Sequence, residues 1–389
     1  MAEDLNKMLD SLLEPEKKLD FICEIPCPVK LAARELLMPF LRDYGASYRS
    51  YLPTTCGLTE TEPGREILKT LYAPGTAQFR EAVLSFGFRD FFERPMIEKY
   101  INRTYCRTEQ NFPISAPFAG LDIQDPEGVF SVFSSLPMVL IADKRHLGGL
   151  PLPKTWEDLL NPVYRGAISL SGGKNDPEEM PLMYIHKNFG EDGLRQLAAN
   201  TCQCLAGSRV AQVVGSNHPD TAPLYLCTWF FANASLRQKD AQLIVPADGT
   251  FVNLVYLITR RELSEPLERL SRFLLSPAFL QVWEDNFYPT TSADVQPKLA
   301  ADTPLQWLGW DYVHSHDMIA FGNELRERFM GYVKKIWFVP LEMTGRQEKG
   351  KSGAKPLFSV RIRRVMAGLT PCALLAGRSF RLRYAADRT

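Results

Sequence analysis

The sequence predicts an α/β protein built from two lobes. First, its 389 residues exceed what one ordinary hydrophobic core organises. Second, residues 21–41 read as strand, turn and helix, which is the opening unit of an α/β domain. Third, a short helical pattern gives way to a new strand at residue 167, so helices and strands keep alternating far along the chain. The apolar content of 45% is typical of a globular chain.

The first strand covers residues 21–25 and runs into Pro26-Cys27-Pro28. A helical pattern follows, with apolar residues recurring over positions 31–41. Pro28 suits the first turn of that helix. The helix N-terminus would then point toward the carboxyl end of the strand, where open α/β sheets place their ligands.

Further elements of the first lobe follow the same pattern. Residues 67–72 predict a βα unit ending at Pro74-Gly75, and residues 82–87 predict a strand entering a loop. The run 136–142 is strongly apolar and predicts a buried strand. Residues 2–14 predict a short amphipathic helix that Pro15 ends.

The stretch 153–168 is the most informative part of the chain. Trp156, Leu159 and Leu160 have the spacing of a short amphipathic helix. Thr155 is placed to cap its N-terminus, with Asp158 three residues on as a variant of the capping box. Asn161-Pro162 then stops the helix before the strand 167–170.

The remaining pattern alternates strands and helices up to residue 333. We predict strands at 243–245 and 251–258 and helices at 177–189, 193–199, 263–275, 278–283 and 318–333. His314-x-His316 lies near Asp311 and Asp317, and these four side chains could together form a set of metal ligands. An i, i+2 pair shares a face only in a strand, so we expect a solvated loop there.

The block 153–168 resembles the second lobe of type 2 periplasmic solute-binding proteins, especially the branch with ferric-ion binders. Residues 245–250, followed by an apolar strand, are similar to the return crossing of that family. The motifs at 26–30 and 307–312 look like a subgroup of signal-less, cytoplasmic ABC transporter substrate-binding proteins. Ferric binders usually carry adjacent tyrosines before the return crossing, whereas residues 225–230 hold Tyr225 alone.

The resemblance implies an α/β clamshell whose two lobes are joined by two crossover strands at the hinge. Residues 1–20 would form an N-terminal helical arm, residues 21–135 and 247–340 lobe 1, and residues 136–246 lobe 2. Beyond residue 344 the chain becomes basic, with 11 Lys/Arg and two Asp/Glu. We predict a poorly ordered tail at 345–389, with a basic arm for an acidic surface or membrane as the alternative.

Candidate ligand contacts follow from strand ends and glycine-bearing turns. The loop Ser171-Gly172-Gly173-Lys174-Asn175 could hold an oxyanion on its backbone amides, or it could be an ordinary βα turn. Asp248-Gly249-Thr250 could line the hinge, although Asp-Gly is also a common turn. The full set is Cys27, Ser85, Gly87, Ser171, Gly172, Gly173, Asn175, Asp248, Gly249 and Thr250.

No residue pattern predicts a resident metal or cofactor. The eight cysteines include no CxxC, and we expect free thiols. Cys27 is the one that could act as a soft metal ligand, a cleft wall or simply a buried apolar residue. No nucleophile elbow and no HExxH motif occurs, so we predict no catalysis.

The net charge and the N-terminal sequence limit the classes of partner and the location that we expect. Net charge is zero, which argues against general nucleic-acid binding, and no segment is apolar enough for a membrane helix. Nine charged residues between positions 3 and 20 interrupt any secretory signal, so we expect a cytoplasmic protein.

The sequence as a whole therefore favours a non-catalytic solute-binding protein. We expect a small anionic ligand or a metal complex, held between the lobes by hinge closure, with a membrane permease or a regulatory protein as partner. The alternatives are an enzyme on the same scaffold, using Cys27, Asp248 and Lys174, and a cytoplasmic sensor or metal carrier.

Overall fold

A computed structural model describes residues 21–42, 50–51, 81–88, 90–92, 94–99, 106–107, 112–173 and 176–337. The predicted arm at 1–20, the βα unit at 67–72 and the tail at 345–389 lie outside these residues. The described strands are β1 Phe21–Cys23, β2 Ser50–Tyr51, β3 Ala82–Phe86, β4 Cys106–Arg107, β5 Ser131–Asp143, β6 Ile168–Gly173, β7 Asp176–Pro177, β8 Thr201–Leu205, β9 Leu224–Thr228, β10 Ala241–Ile244, β11 Thr250–Arg260 and β12 Leu305–Gln306.

The described helices surround these strands. They are α1 Cys27–Arg42, α2 Arg94–Lys99, α3 Glu179–Asn200, α4 Gly207–Val213, α5 Trp229–Asn233, α6 Glu265–Leu274, α7 Pro277–Asp285, α8 Trp310–Ser315 and α9 Met318–Trp337. Short 3-10 turns lie at Asp90–Phe92, Ala116–Phe118, Asp158–Leu160, Pro162–Tyr164 and Gln238–Asp240. None of the described helices is both long enough and apolar enough to cross a membrane.

The strands form one sheet whose two halves are joined by two long strands. Its order is β2-β1-β3-β11-β5-β9-β6-β7, with β4 and β12 also beside β11, β10 beside β5 and β8 beside β6. The first half holds the parallel strands β1, β2 and β3, and the second half holds the parallel strands β6, β8 and β9. Strands β5 and β11 run antiparallel through the middle, which confirms the two predicted crossover strands.

The hydrophobic core is divided on one face of the sheet and continuous on the other. Residues alternate between faces along each strand, so Val83 and Leu140 join a cluster that spans both halves. On the opposite face, Leu84 belongs to a cluster under the first half, and Val139 belongs to a separate cluster under the second half. A core split in this way is what a two-lobe α/β fold requires.

Pro137 marks the middle of the crossing strand β5. The Ser135 N–H donates to Pro289 O, at 3.0 Å, on the edge of β5 opposite β11. Farther along the same edge, Met138 pairs with Thr228 at the end of β9. Peptide groups two residues apart point to the same edge, so the nitrogen of Pro137 faces the gap between these two partners. A proline fits there because no neighbouring strand needs its missing N–H.

The capping box predicted in the block 153–168 is present, but the helix is shorter than expected. The Asp158 N–H donates to Thr155 Oγ1, and the Thr155 N–H donates to Asp158 Oδ2, each at 3.1 Å. The following residues form a 3-10 turn at Asp158–Leu160 instead of an α-helix. A second 3-10 turn follows at once, with the Asn161 side chain accepting from the Val163 N–H.

The two helices predicted at 177–189 and 193–199 form the single element α3, which is broken at Gly190. This glycine has φ 63° and ψ −159°, a conformation that other residues avoid. Helix α9, the last helix that the structure describes, packs along α3. The lobe boundaries stay a prediction, and this contact joins helices that the prediction assigned to different lobes.

Candidate functional site

The carboxyl ends of the strands in the two halves face one another. β3 runs antiparallel to β11 and ends where Phe86 pairs with Val255. β9 runs antiparallel to β5 and ends where Thr228 pairs with Met138. Because β5 and β3 share one direction, β9 and β3 run toward each other. About four residues of β5, roughly 13 Å, separate the two strand ends.

Glu24 lies at the first-half side of this cleft, directly after β1. Its side chain is buried, with 5% exposed, and its Oε2 accepts a hydrogen bond of 2.7 Å from Ser85 Oγ. Ser85 is itself fully buried on β3. The predicted site residue Ser85 therefore orients a carboxylate, and that carboxylate was not among the predicted contacts because the two residues are 61 positions apart.

Gly87 allows the loop after β3 to pass close to Asn253 of β11. It has φ +71°, and its N–H donates to Leu254 O at 2.8 Å. A Cβ at this position would lie 3.1 Å from Asn253 Nδ2. The glycine is thus needed for the turn itself, and the partly exposed amide of Asn253 lies beside it at the hinge.

On the second-half side, β6 turns back into β7 as a tight hairpin. Gly172 pairs with Pro177 and Gly173 pairs with Asp176. The Glu178 N–H donates to Ser171 O at 3.0 Å and closes the hairpin base. We call the described residues 171–173 and 176–178 the cleft hairpin. Lys174 and the predicted contact Asn175 lie outside the described residues.

Glu178 connects the cleft hairpin electrostatically with the opposite half. Burial raises the pKa of Tyr288, and the negative charge of Glu178 raises it further. The same carboxylate adds to the effect of burial on the pKa of the Cys227 thiol. Glu178 is exposed. It therefore lies close to groups from both sides of the cleft, a placement that sequence spacing could not reveal.

Four aromatic rings, which we call the aromatic seam, meet where α5 approaches the segment after α7. Trp229 packs edge-on against Phe287, with ring centroids 5.2 Å apart. Phe230 stacks on Tyr288 at 6.2 Å and also packs against the core of the first half. Since α5 follows a strand of the second half, the seam joins the halves across one edge of the cleft. Aromatic pairs of this kind contribute about 0.5–1.5 kcal/mol each.

Cys27 differs from its prediction. It is the first residue of α1 and exposed, and it is disulfide-bonded. The expectation of free thiols is wrong at this position, and a disulfide sulfur is not the thiolate that a soft metal needs. Cys23, Cys204 and Cys227 are free thiols, and burial raises the pKa of Cys204 to about 12, with Asp176 and Glu178 adding to the shift.

Asp248-Gly249-Thr250 lies where β11 begins, on the second-half side of the facing strand ends. Asp248 is seven residues, about 23 Å, from Val255, which is level with the end of β3, and three residues, about 10 Å, from Phe251, which is level with the end of β9. Its carboxylate accepts the Trp156 N–H at 2.9 and 3.1 Å. The Trp156 indole N–H donates to Gly249 O at 2.7 Å, and Thr250 is buried. These residues anchor the block 153–168 to the start of β11.

The histidine pair is divided between an α-helix and the residue after it. His314 lies in α8, and His316 follows that helix and packs its ring on Tyr312 and Phe321. Tyr225 is also structural, since its hydroxyl accepts the Ala222 N–H at 2.6 Å within the core. No group of three or more His, Cys, Asp or Glu side chains suited to a metal ion occurs among the residues that the structure describes.

The profile of the bacterial extracellular solute-binding protein family matches residues 78–316, well over half of the chain. The chain belongs to this family. No curated protein matches it. The match covers the cleft hairpin, both crossing strands and the aromatic seam.

Solved structures of binding proteins share the fold of this solute-binding protein. The Bordetella ferric binding protein is 14% identical, with 81% of this chain and 99% of that one covered and a TM-score of 0.53. AfuA from Actinobacillus pleuropneumoniae, with fructose 6-phosphate bound, is 12% identical over 82% and 98%, with a TM-score of 0.53. PotD from Streptococcus pneumoniae, a spermidine/putrescine transporter component, is 13% identical over 82% and 100%, with a TM-score of 0.52. Their ligands differ in charge, so the shared fold does not specify one.

Proposed function

We propose that this solute-binding protein holds a metal complex with an anionic chelator in the cleft between its lobes. The observation that supports this most is the meeting of strand ends from both halves of the sheet. In α/β proteins ligands bind beyond the carboxyl ends of the strands. A solute between them would touch both halves, so its binding would favour the closed arrangement.

Both signs of charge are present at this cleft. The start of the 16-residue helix α1 follows β1, and helix N-termini attract negative charge. Glu24 and Glu178 bring carboxylates to the same region. A bare anion would use only the start of α1, and a bare cation would use only the carboxylates. A metal complex with an anionic chelator carries both charges and so fits both features.

Ferric citrate, fructose 6-phosphate and spermidine would test this ligand class by calorimetry and thermal shift. We expect ferric citrate to stabilise the protein, by about 2.7 kcal/mol at one hundred times its Kd. Glu178→Gln should weaken this binding. Glu191→Gln is the matched control, because Glu191 lies on α3 and bonds Arg328 and Tyr332 instead of facing the cleft. Stabilisation by fructose 6-phosphate or spermidine alone would contradict the metal complex.

The enzyme alternative has less support than capture without catalysis. Of its three candidate groups, Cys27 is disulfide-bonded, and the Asp248 carboxylate is occupied by the Trp156 N–H at the start of β11. The sensor or metal-carrier alternative needs reactive thiols. Burial raises the pKa of both Cys204 and Cys227, which keeps these thiols protonated at neutral pH.

We propose further that the closed protein presents its solute to a membrane permease, with a regulatory protein as the other possible partner. A cytoplasmic location remains part of the proposal. Separation of the producing cells into cytoplasmic, periplasmic and membrane fractions, followed by immunodetection of the protein, tests it. Recovery outside the cytoplasm would refute the location and leave the ligand proposal standing.

A further inference from the structure

Helix α9, the last helix that the structure describes, contacts the cleft hairpin. Arg326 of α9 donates from Nη1 to Asp176 Oδ1 at 3.2 Å, and its Nη2 pairs with Glu179 Oε1. Asp176 pairs with Gly173 inside the hairpin, and Glu179 is the first residue of α3. One guanidinium therefore contacts the two carboxylates that flank Glu178.

The close approach of α9 to α3 depends on Gly322. A Cβ there would lie 2.8 Å from Met183 Cε and 3.1 Å from Glu179 Cβ. Gly322 and Arg326 are four residues apart and so share one face of the helix. The glycine lets the helices touch, which brings the guanidinium one turn later to the base of the cleft hairpin.

The N-terminal end of α9 contacts a different part of the molecule. Asp317 Oδ1 accepts the Ala320 N–H at 3.0 Å, and its Oδ2 accepts the Arg94 N–H at 3.2 Å. Arg94 begins α2, in the part of the chain predicted as lobe 1. The Trp310 indole N–H donates to Ile123 O at 3.0 Å, eight residues before β5 begins. The segment 305–337 therefore contacts the cleft hairpin through the middle of α9, and the chain leading to β5 through Trp310.

We propose that Arg326 is a positioning residue, which orients the cleft hairpin for ligand binding without touching the ligand itself. This inference rests on the proposed function, because it assumes that the hairpin contacts the solute. A bidentate arginine is suited to the task, since its planar guanidinium can hold two carboxylates at a set spacing. Lysine retains the charge but not this geometry.

The test is hydrogen exchange of the intact protein, followed by binding of ferric citrate. Arg326→Ala should speed exchange of the hairpin amides, including that of Glu178, by about fivefold, and Arg326→Lys should restore part of the protection. Arg328→Ala is the matched control. Arg328 lies on the same helix, is 33% exposed against 26% for Arg326, and pairs with Glu191 and Glu324, away from the hairpin.

Ferric citrate affinity should fall about fivefold in Arg326→Ala and stay unchanged in Arg328→Ala. Exchange equal to that of the wild type, or faster exchange spread along α3 and α9, would overturn the proposal. Equal loss of affinity in both variants would also overturn it. If ferric citrate does not bind the wild type, the proposed ligand is wrong. The role of Arg326 is then decided by hydrogen exchange alone, that is, by whether the faster exchange in Arg326→Ala is confined to the hairpin. If Arg326→Ala does not fold, Arg326→Lys carries the same comparison.

Discussion

Gly172→Ala should disrupt the cleft hairpin. The backbone at Gly172 has φ +146°, a conformation that L side chains rarely adopt. A Cβ built there would lie 2.2 Å from Asp176 O, which is 1.2 Å closer than the 3.4 Å at which ordinary contact begins. It would also lie 2.8 Å from Pro177 Cα. Both neighbours are backbone atoms of the opposing strand, so no side-chain rotation can relieve the overlap.

We expect a cost of about 3 kcal/mol, since a strained backbone and an overpacked contact each cost about 1–3 kcal/mol. Gly173→Ala is the control one residue away. Its Cβ would meet Asp176 Cβ at 3.6 Å, an ordinary contact, and its φ is not positive. Urea unfolding measures the global loss, and exchange of the Glu178 amide reports the hairpin base. If the hairpin rearranges only locally, the free energy of unfolding changes by less than this. The exchange rate of the Glu178 amide and the affinity for the solute then change by more. Equal stability and equal exchange in the two alanine variants would refute the reasoning.

Three other perturbations test contacts described above. Trp156→Phe removes the indole donor to Gly249 O and should cost about 1–3 kcal/mol in urea unfolding; stability equal to the wild type would show that this bond is not needed. Ser85→Ala should cost about 2 kcal/mol, and much less in a Glu24→Gln background, because the hydroxyl acts through that carboxylate; additive losses in the double-mutant cycle would contradict this coupling. Burial raises the pKa of Glu284, which is fully buried and accepts from the Thr290 and Lys298 N–H groups. Because the pKa of Glu284 is raised in the folded state, lowering the pH from neutral to about 5 should stabilise the wild type relative to Glu284→Gln. A stability difference between the two proteins that does not change with pH would refute this expectation.

The order of strands and helices was largely predictable because it depends on local pattern. The unit at 21–41 forms β1 and α1, and the apolar runs at 136–142 and 251–258 fall within β5 and β11. The break at Gly190 and the capping box at Thr155 were also readable from short sequence signals. Each of these features depends on residues within one or two turns of one another.

The site was less predictable because its contacts join distant positions. Glu24 meets Ser85 across 61 residues, and Arg326 meets Asp176 across 150. A glycine-bearing loop after β6 was predicted, but only pairing between Gly172 and Pro177 makes it a hairpin. Asp248 was predicted either to line the hinge or to belong to a common Asp-Gly turn, and its contact with the Trp156 amide could not be read from either prediction.

Pro137 has a consequence for the energy of bending. When two bodies share a continuous strand, changing their angle usually breaks or stretches ladder bonds at the pivot. Here one edge of that strand carries no bond at the pivot, because an imino nitrogen occupies the place of the donor. Bending at this point therefore breaks no ladder bond on that edge of β5, while the pairing of β5 with β11 on the other edge has to adjust.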